Sequence, residues 1–436
     1  MNKLTVAIAV VCLIAVVNAG LVTNLPGLTF TPNFNQYAGY ITVNATHGRA
    51  LHYWFVESQN NPSTDPLVLW LQGGPGCSSL LGMLTENGPF VVQPDLSVTL
   101  NPNSWNRIAN VLYVESPAGV GFSYSNTSSD YTTGDNQTRW DSLHFLLGWF
   151  AQFPQYANNE FYISGESYGG HYVPQLAWTI VEAKANINLK GFLVGNAWTD
   201  DVIDSDSVPP FVYYHGLCSR TTWKSIVANC SLVGSKKSGI MTEPFREDHV
   251  KRLVGASPQC DEDLRAMYEE IGNFINQYDI YTPCIEGGGL GCMNYTKETD
   301  YLNTPAVQQA LYVMPNLPAW SVCTTNINYV ESWASVVPIY PVLMLKMRVT
   351  VYSGDVTFNV PFLGSEVWID GLGAPLKQAW KAWYYEEGDY GKQVGGYLKK
   401  YVGINFATVI NAGHMVPAYQ PAAAFVLFSN YLNGTA

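Results

Sequence analysis

The stretches YAGYITVN and ALHYWFVES alternate apolar and polar residues, a period of two that predicts early antiparallel strands. PLVLWLQ and ANVLYVES are instead unbroken apolar runs that stop at Gly- or Pro-rich loops, the pattern of strands buried on both faces. RWDSLHFLLGWFAQFP carries helical spacing and ends at Pro154. A strand at FYIS, a turn over Gly165–Gly169, a helix from YVPQLAWTIVEA and a buried strand in LKGFLVGNAW follow. Near the end, WASVVPIYPVLMLK predicts a helix, MRVTVYSG and NFATVINAG predict strands, and PAAAFVLFSNYL predicts a final helix.

Between Asp200 and Cys323 the texture changes: no strand is obvious, cysteines concentrate and charge rises locally, as in EPFREDHVKR. The expectation is an α/β core over 20–199 and 324–436, with a mixed, mostly parallel sheet between helices. A mainly helical, disulfide-stapled cap inserted over 200–323 completes it. Ligands bind at the ends of such strands.

Composition narrows the class. The chain has 436 residues, 47% of them hydrophobic and only 13% charged, which allows a sizeable core and excludes a disordered chain. A net charge of −12 without a basic run argues against nucleic acid as a partner. The start, MNKLTVAIAVVCLIAVVNAG, reads as a signal peptide over 1–19 rather than an anchor helix, because the apolar run is short and ends in small residues. No later segment is long and apolar enough to span a membrane. Secretory entry makes the remaining cysteines disulfide candidates: Cys77, Cys218, Cys230, Cys260, Cys284, Cys292 and Cys323, an odd set that leaves at least one over. Glycosylation sequons stand at Asn44, Asn126, Asn136, Asn229, Asn294 and Asn433.

Candidate chemistry centres on Gly165-Glu166-Ser167-Tyr168-Gly169. Alone the pattern is weak, but here it joins a strand to a helix, the setting of a nucleophile elbow. An activated serine needs a base and an orienting carboxylate. Of the histidines after Ser167, His171 lies one turn along the same helix, while His215 and His249 fall in the insertion. His414 follows a strand, and Asp355 follows the strand before it, giving the order Ser167, Asp355, His414. Oxyanion donors are expected from the Tyr168 amide and from the loop LWLQGGPGCSS, where Gly74 is the candidate; a plain Gly-Pro-Gly turn is the competing reading.

Five segments, LWLQGGPGCSS, VESPAGVGFSYS, ISGESYGGHYVP, YSGDVTFNV and NAGHMVP, together resemble the serine carboxypeptidases, in that family's order and spacing. The resemblance implies an α/β-hydrolase core with a cap and removal of one C-terminal residue at a time in acid. It implies Ser167 as nucleophile, His414 as base, Asp355 as its partner, and Gly74 and Tyr168 as oxyanion donors. Gln72, Gly73, Glu166 and Glu86 then form the site for the substrate's terminal carboxylate, Trp70 stands beside it, and Met415 lines the leaving-residue pocket. Gln72 departs from the Asn that many members carry; it keeps the amide and adds a methylene. The resemblance also implies a Cys77–Cys323 disulfide. Cys284 with Cys292 and Cys218 with Cys230 are candidate pairs that leave Cys260 over, and Cys260–Cys284 competes with them.

An acid beside the nucleophile makes sense if it keeps a proton. Two carboxyl groups in contact cannot both ionise cheaply, so Glu166 can donate to a substrate carboxylate while acid lasts. Such a charge-assisted bond contributes about 1.5–3 kcal/mol. Competing readings are an esterase or acyltransferase with the same triad, against which Glu166 stands, and a catalytically dead binding relative, against which the triad stands. The histidines lack metal-ligand spacing, so neither metal nor organic cofactor is expected. The expected partners are peptide or protein C-termini, with monomer and homodimer both open. The expected location is the secretory pathway, ending in a lysosome or vacuole or outside the cell.

Overall fold

The computed structural model describes residues 20–230, 232 and 257–435. The proposed signal segment, EPFREDHVKR and His249 lie outside them. An eleven-stranded sheet organises the chain. Its strands are β1 (Gly20–Leu21), β2 (Gln36–Asn44), β3 (Arg49–Val56), β4 (Leu67–Leu71), β5 (Asn110–Val114) and β6 (Phe161–Glu166). They continue with β7 (Leu189–Gly195), β8 (Arg348–Gly354), β9 (Leu376–Glu387), β10 (Gly391–Tyr401) and β11 (Ile404–Val409). The spatial order is β1-β2-β3-β5-β4-β6-β7-β8-β11-β10-β9. The central strands from β5 to β11 run parallel, and antiparallel strands flank them on both sides.

Alternation explains why the central strands read as continuous apolar runs. Leu67, Leu69 and Leu71 face one core and Val68 and Trp70 the other. The first core also receives Leu143 and Trp149 of α2 (Asp135–Gln152) and Val173 and Leu176 of α3 (Gly169–Glu182). On the opposite face, α1 (Ser79–Thr85) contributes Leu80 and Met83, and the helix Pro421–Leu432 contributes Leu427 and Phe428. Each such side chain, fully buried, contributes about 1.5–3 kcal/mol to folding.

Two predictions on this frame need correction. WASVVPIYPVLMLK forms only a single 3₁₀ turn, Val337–Ile339, and a short helix, Tyr340–Met344, because Pro338 and Pro341 cannot continue a preceding turn. The hairpin of β9 and β10 has no counterpart in the predicted elements; most of β9 is solvent-exposed.

Among the described residues from 200 to 323 no strand joins the sheet. Here α4 (Arg220–Asn229) and α5 (Pro258–Ile271) pack around Val212, Ile226 and Met267. Disulfides join Cys77 to Cys323, Cys284 to Cys292, and Cys230 to Cys260. The Cys218–Cys230 pairing is therefore overturned, as is Cys260–Cys284. The ten residues of α4 stand between Cys218 and Cys230 and span about 15 Å, too far for a disulfide's Cα atoms. Cys218 is free and half-buried. Of the sequon asparagines, Asn126, Asn136, Asn229, Asn294 and Asn433 are exposed and Asn44 is half-buried.

Candidate active site

Strand register brings the candidate residues to one edge. Leu71 pairs with Gly165, Glu166 with Gly195, Gly195 with Tyr352, and Gly354 with Val409, so β4, β6, β7, β8 and β11 end side by side. The loops leaving those ends carry Gln72, Ser167, Asp355 and His414.

Ser167 occupies the turn between β6 and α3 with φ of +58°, a conformation that costs a non-glycine residue energy and must be held by its surroundings. Its N–H donates to Gly195 O at 3.1 Å, and its carbonyl accepts from Gly170 and Trp198 at 2.8 and 2.9 Å. The side chain is half-buried at the sheet edge.

Asp355 accepts the Asn411 N–H at 2.7 Å. Burial pushes its carboxyl up to about 6, and the amides of Asn411 and Ala412 oppose that rise. Val356 N–H bonds Ala412 O at 3.1 Å, so the loops after β8 and β11 are tied together. His414 donates its N–H to Tyr278 O at 2.7 Å, and its ring meets the Tyr278 ring edge-on at 4.5 Å. Both ring nitrogens are buried without a hydrogen-bond partner, so the structure does not join His414 to Asp355 by a hydrogen bond. Burial lowers the imidazole to about 3. The ring is therefore neutral, and able to accept a proton, even in acid. Triad hydrogen bonds often tighten only when substrate arrives.

The loop after β4 runs directly over the elbow. A Cβ on Gly73 would lie 2.5 Å from Tyr168 N and 2.8 Å from Ser167 Cβ, so only glycine fits. Gly74 follows with φ of +118°, against the Cys77–Cys323 disulfide. That bond pins the loop, as do Ser78 N–H to Val322 O and Thr324 N–H to Gly76 O, each at 2.9 Å. Beneath it, buried Glu115 accepts Ser78 Oγ at 2.8 Å and the Trp320 indole at 3.1 Å, and burial pushes this carboxyl up to about 7.

Gln72 knits a buried acid pair. Its amide nitrogen donates to Glu166 Oε1 at 2.6 Å and Glu86 Oε1 at 3.2 Å, and its oxygen accepts the Trp70 indole N–H at 2.8 Å. The remaining oxygen of each carboxyl meets no donor from any other described residue, which leaves the two to hydrogen-bond each other. Burial pushes Glu86 up to about 7, partly opposed by bonds from Glu166 and Gln72. Burial, then the charge and hydrogen bond of Glu86, hold Glu166 well above the ordinary carboxylate range. Gly82 of the helix Ser79–Thr85 makes room: a Cβ there would lie 2.5 Å from the Trp70 indole nitrogen. Trp70 is fully buried and reaches the site only through its N–H.

Met415 is buried with Leu81 and Tyr295, and Tyr278, Leu290 and Tyr419 pack around them. The Tyr295 hydroxyl lies 3.8 Å from Met415 Sδ. Tyr278 and Tyr295 come from the 200–323 segment. The sequence offered no signal for them, since neither sits in a motif.

The parallel sheet, the strained serine at the end of β6, and the acid and histidine after later strands define an α/β-hydrolase. A solved prohormone-processing carboxypeptidase from Saccharomyces cerevisiae has the same fold, with a TM-score of 0.75, 22% identity and 94% of each chain covered. The family model described as serine carboxypeptidase matches residues 26–434. Lysosomal protective protein of Mus musculus is 36% identical over 94% of this chain and 92% of its own. Serine carboxypeptidase-like 32 of Arabidopsis thaliana is 39% identical over 95% and 92%. The chain belongs to the serine carboxypeptidase family and is a serine-type carboxypeptidase. Its three disulfides fit the oxidising secretory pathway. No helix among the described residues is long and apolar enough to cross a membrane, and no group of them could hold a metal ion.

Proposed function

We propose that this enzyme releases single C-terminal amino acids from peptides and proteins in acid, through an acyl-enzyme on Ser167. His414 takes the Ser167 proton as Oγ attacks the last peptide carbonyl. The N–H groups of Gly74 and Tyr168 hold the oxyanion. His414, oriented by Asp355, passes the proton to the leaving amine as the C–N bond breaks. Water, deprotonated by His414, then attacks the ester carbonyl and frees Ser167.

The Gln72–Glu86–Glu166 cluster carries this reading. Below about pH 7 both carboxyls hold protons. One proton serves the bond between them, and the other serves the substrate's terminal carboxylate, with Gln72 and the Gly73 N–H alongside. An endopeptidase has no use for such a group. The apolar Met415–Tyr295–Leu81 surroundings favour an apolar leaving residue. Residues 200–323 serve as the cap over this site, residues 1–19 as a signal peptide, and an acidic lysosome or vacuole suits the proton requirement. The test is a C-terminally varied peptide library digested at pH 5 and pH 8 and read by mass. Stepwise loss of single C-terminal residues at pH 5 supports the reading, and internal cleavage overturns it.

A further inference from the structure

Asp135 is the first residue of α2, fully buried, and paired with no cation among the described residues. Five donors offset that burial. Oδ1 accepts the phenols of Tyr168 at 2.9 Å and Tyr329 at 3.0 Å. Oδ2 accepts Ser332 N–H at 2.6 Å, Ser332 Oγ at 3.2 Å and Trp333 N–H at 3.1 Å. One carboxylate thus fastens three places in the chain: the start of α2, the 329–333 segment, and the residue that follows Ser167.

The last of these bears on the reaction. The Tyr168 amide is wedged on one side by Gly73, whose Cβ would lie 2.5 Å from Tyr168 N. On the other side its ring stacks on His171 at 4.8 Å, meets Tyr172 edge-on at 5.1 Å, and ends in the bond to Asp135. Tyr168 has no freedom to tilt while both constraints hold. Oxyanion donors act by being aimed before the charge develops, so a small tilt of the amide weakens them in the transition state and leaves ground-state binding alone.

We infer that Asp135 is a positioning residue for catalysis: through the Tyr168 phenol it fixes the direction of the Tyr168 amide toward the developing oxyanion. The inference rests on the proposed oxyanion role of that amide. It predicts an asymmetry between two phenols that share one oxygen, because only Tyr168 carries the donor.

The experiment compares Tyr168→Phe with Tyr329→Phe, each normalised to competent sites by fluorophosphonate titration. Tyr168→Phe should lower kcat by about 10-fold or more, with peptide KM within twofold, and should weaken a peptidyl boronate, which mimics the oxyanion, by a similar factor. Tyr329→Phe should leave both unchanged per competent site, although it removes a bond to the same carboxylate. Equal losses in the two variants would make Asp135 a scaffold only, and an unchanged kcat in Tyr168→Phe would also overturn the inference. Wild type that fails to label at Ser167 would instead remove the underlying acyl-enzyme reading, so the two failures are distinguishable.

Discussion

Glu86 and Glu166 hydrogen-bond each other in a buried site where one Gln72 amide donates to both. As pH rises through about 7 the pair loses a proton, and the proton that remains is held between the two carboxyls rather than offered to substrate. Peptide KM should therefore climb about 10-fold or more between pH 6 and 8, whereas substrates with a blocked C-terminal carboxyl should change far less. Glu166→Gln keeps a donor that cannot ionise, so its peptide KM should be flat over this range. Steady-state kinetics on paired free and amidated peptides decides the matter; a flat wild-type KM would sink the idea.

The same burial that raises the carboxyls lowers His414, the proposed base. With His414 held near 3, its neutral form persists through the acid range. In an Asp355→Asn variant, which removes the site carboxyl that burial places at about 6, the acid limb of kcat/KM should thus fall well below the ordinary histidine value of about 6.5. A limb centred near 6.5, measured with an amidated substrate to remove the clamp's own titration, would contradict this.

Stability should carry its own pH signature. Glu86 and Glu115 titrate at about 7 and Asp204 at about 8 in the folded chain, all raised by burial, against ordinary values near 4. A raised carboxyl stabilises while protonated, and that contribution is lost as pH rises through the folded value. The buried imidazoles of His52, His171 and His414 work oppositely, losing stability as pH falls below about 6.5. Among the described residues the carboxyls dominate from pH 6.5 to 8, at up to about 1.4 kcal/mol per proton per pH unit. Thermal melts should show Tm lower by several degrees at pH 8 than at pH 6.5; an equal or higher Tm at pH 8 would refute it.

Gly73→Ala tests the contact between the loop and the elbow. The added methyl has backbone nitrogen at 2.5 Å, not the end of a flexible side chain, so the loop must move. Activity per folded molecule should drop by about 100-fold or more, the cost of losing an oxyanion donor. Near-normal kcat with normal fluorophosphonate labelling would show that the loop is not held as tightly as the contact implies.

How much of this was legible beforehand depended on whether physics or topology made the feature. Strands such as Leu67–Leu71 and Asn110–Val114 are buried on both faces, so their apolar runs announced them. Ser167, Asp355 and His414 each follow such a strand, which made their order readable. Leu376–Glu387 lies mostly in solvent, so its Trp and Tyr positions are interleaved with Lys and Gln and carry no clean alternation. Tyr278 reaches His414 only because the segment around it returns across the site, with Phe358 N–H and Thr357 Oγ1 both bonding Gln277 O. Cysteine spacing could not reveal that Cys230 turns toward Cys260, since the orientation of two helices decides it. Asp135 gave no sign of its five donors, three of which come from residues 332 and 333.

The bond from Cys77 to Cys323 spans 246 residues, and both Asp355 and His414 lie beyond it. A ribosome therefore delivers Ser167, the proposed nucleophile, before the lock on the loop above it, and His414, the proposed base, after that lock. On the proposed roles, a chain cut short anywhere before His414 has a serine with nothing to activate it. On those roles, the order of the chain itself keeps a truncated product inert, because the serine and the residues that would activate it stand on opposite sides of the lock.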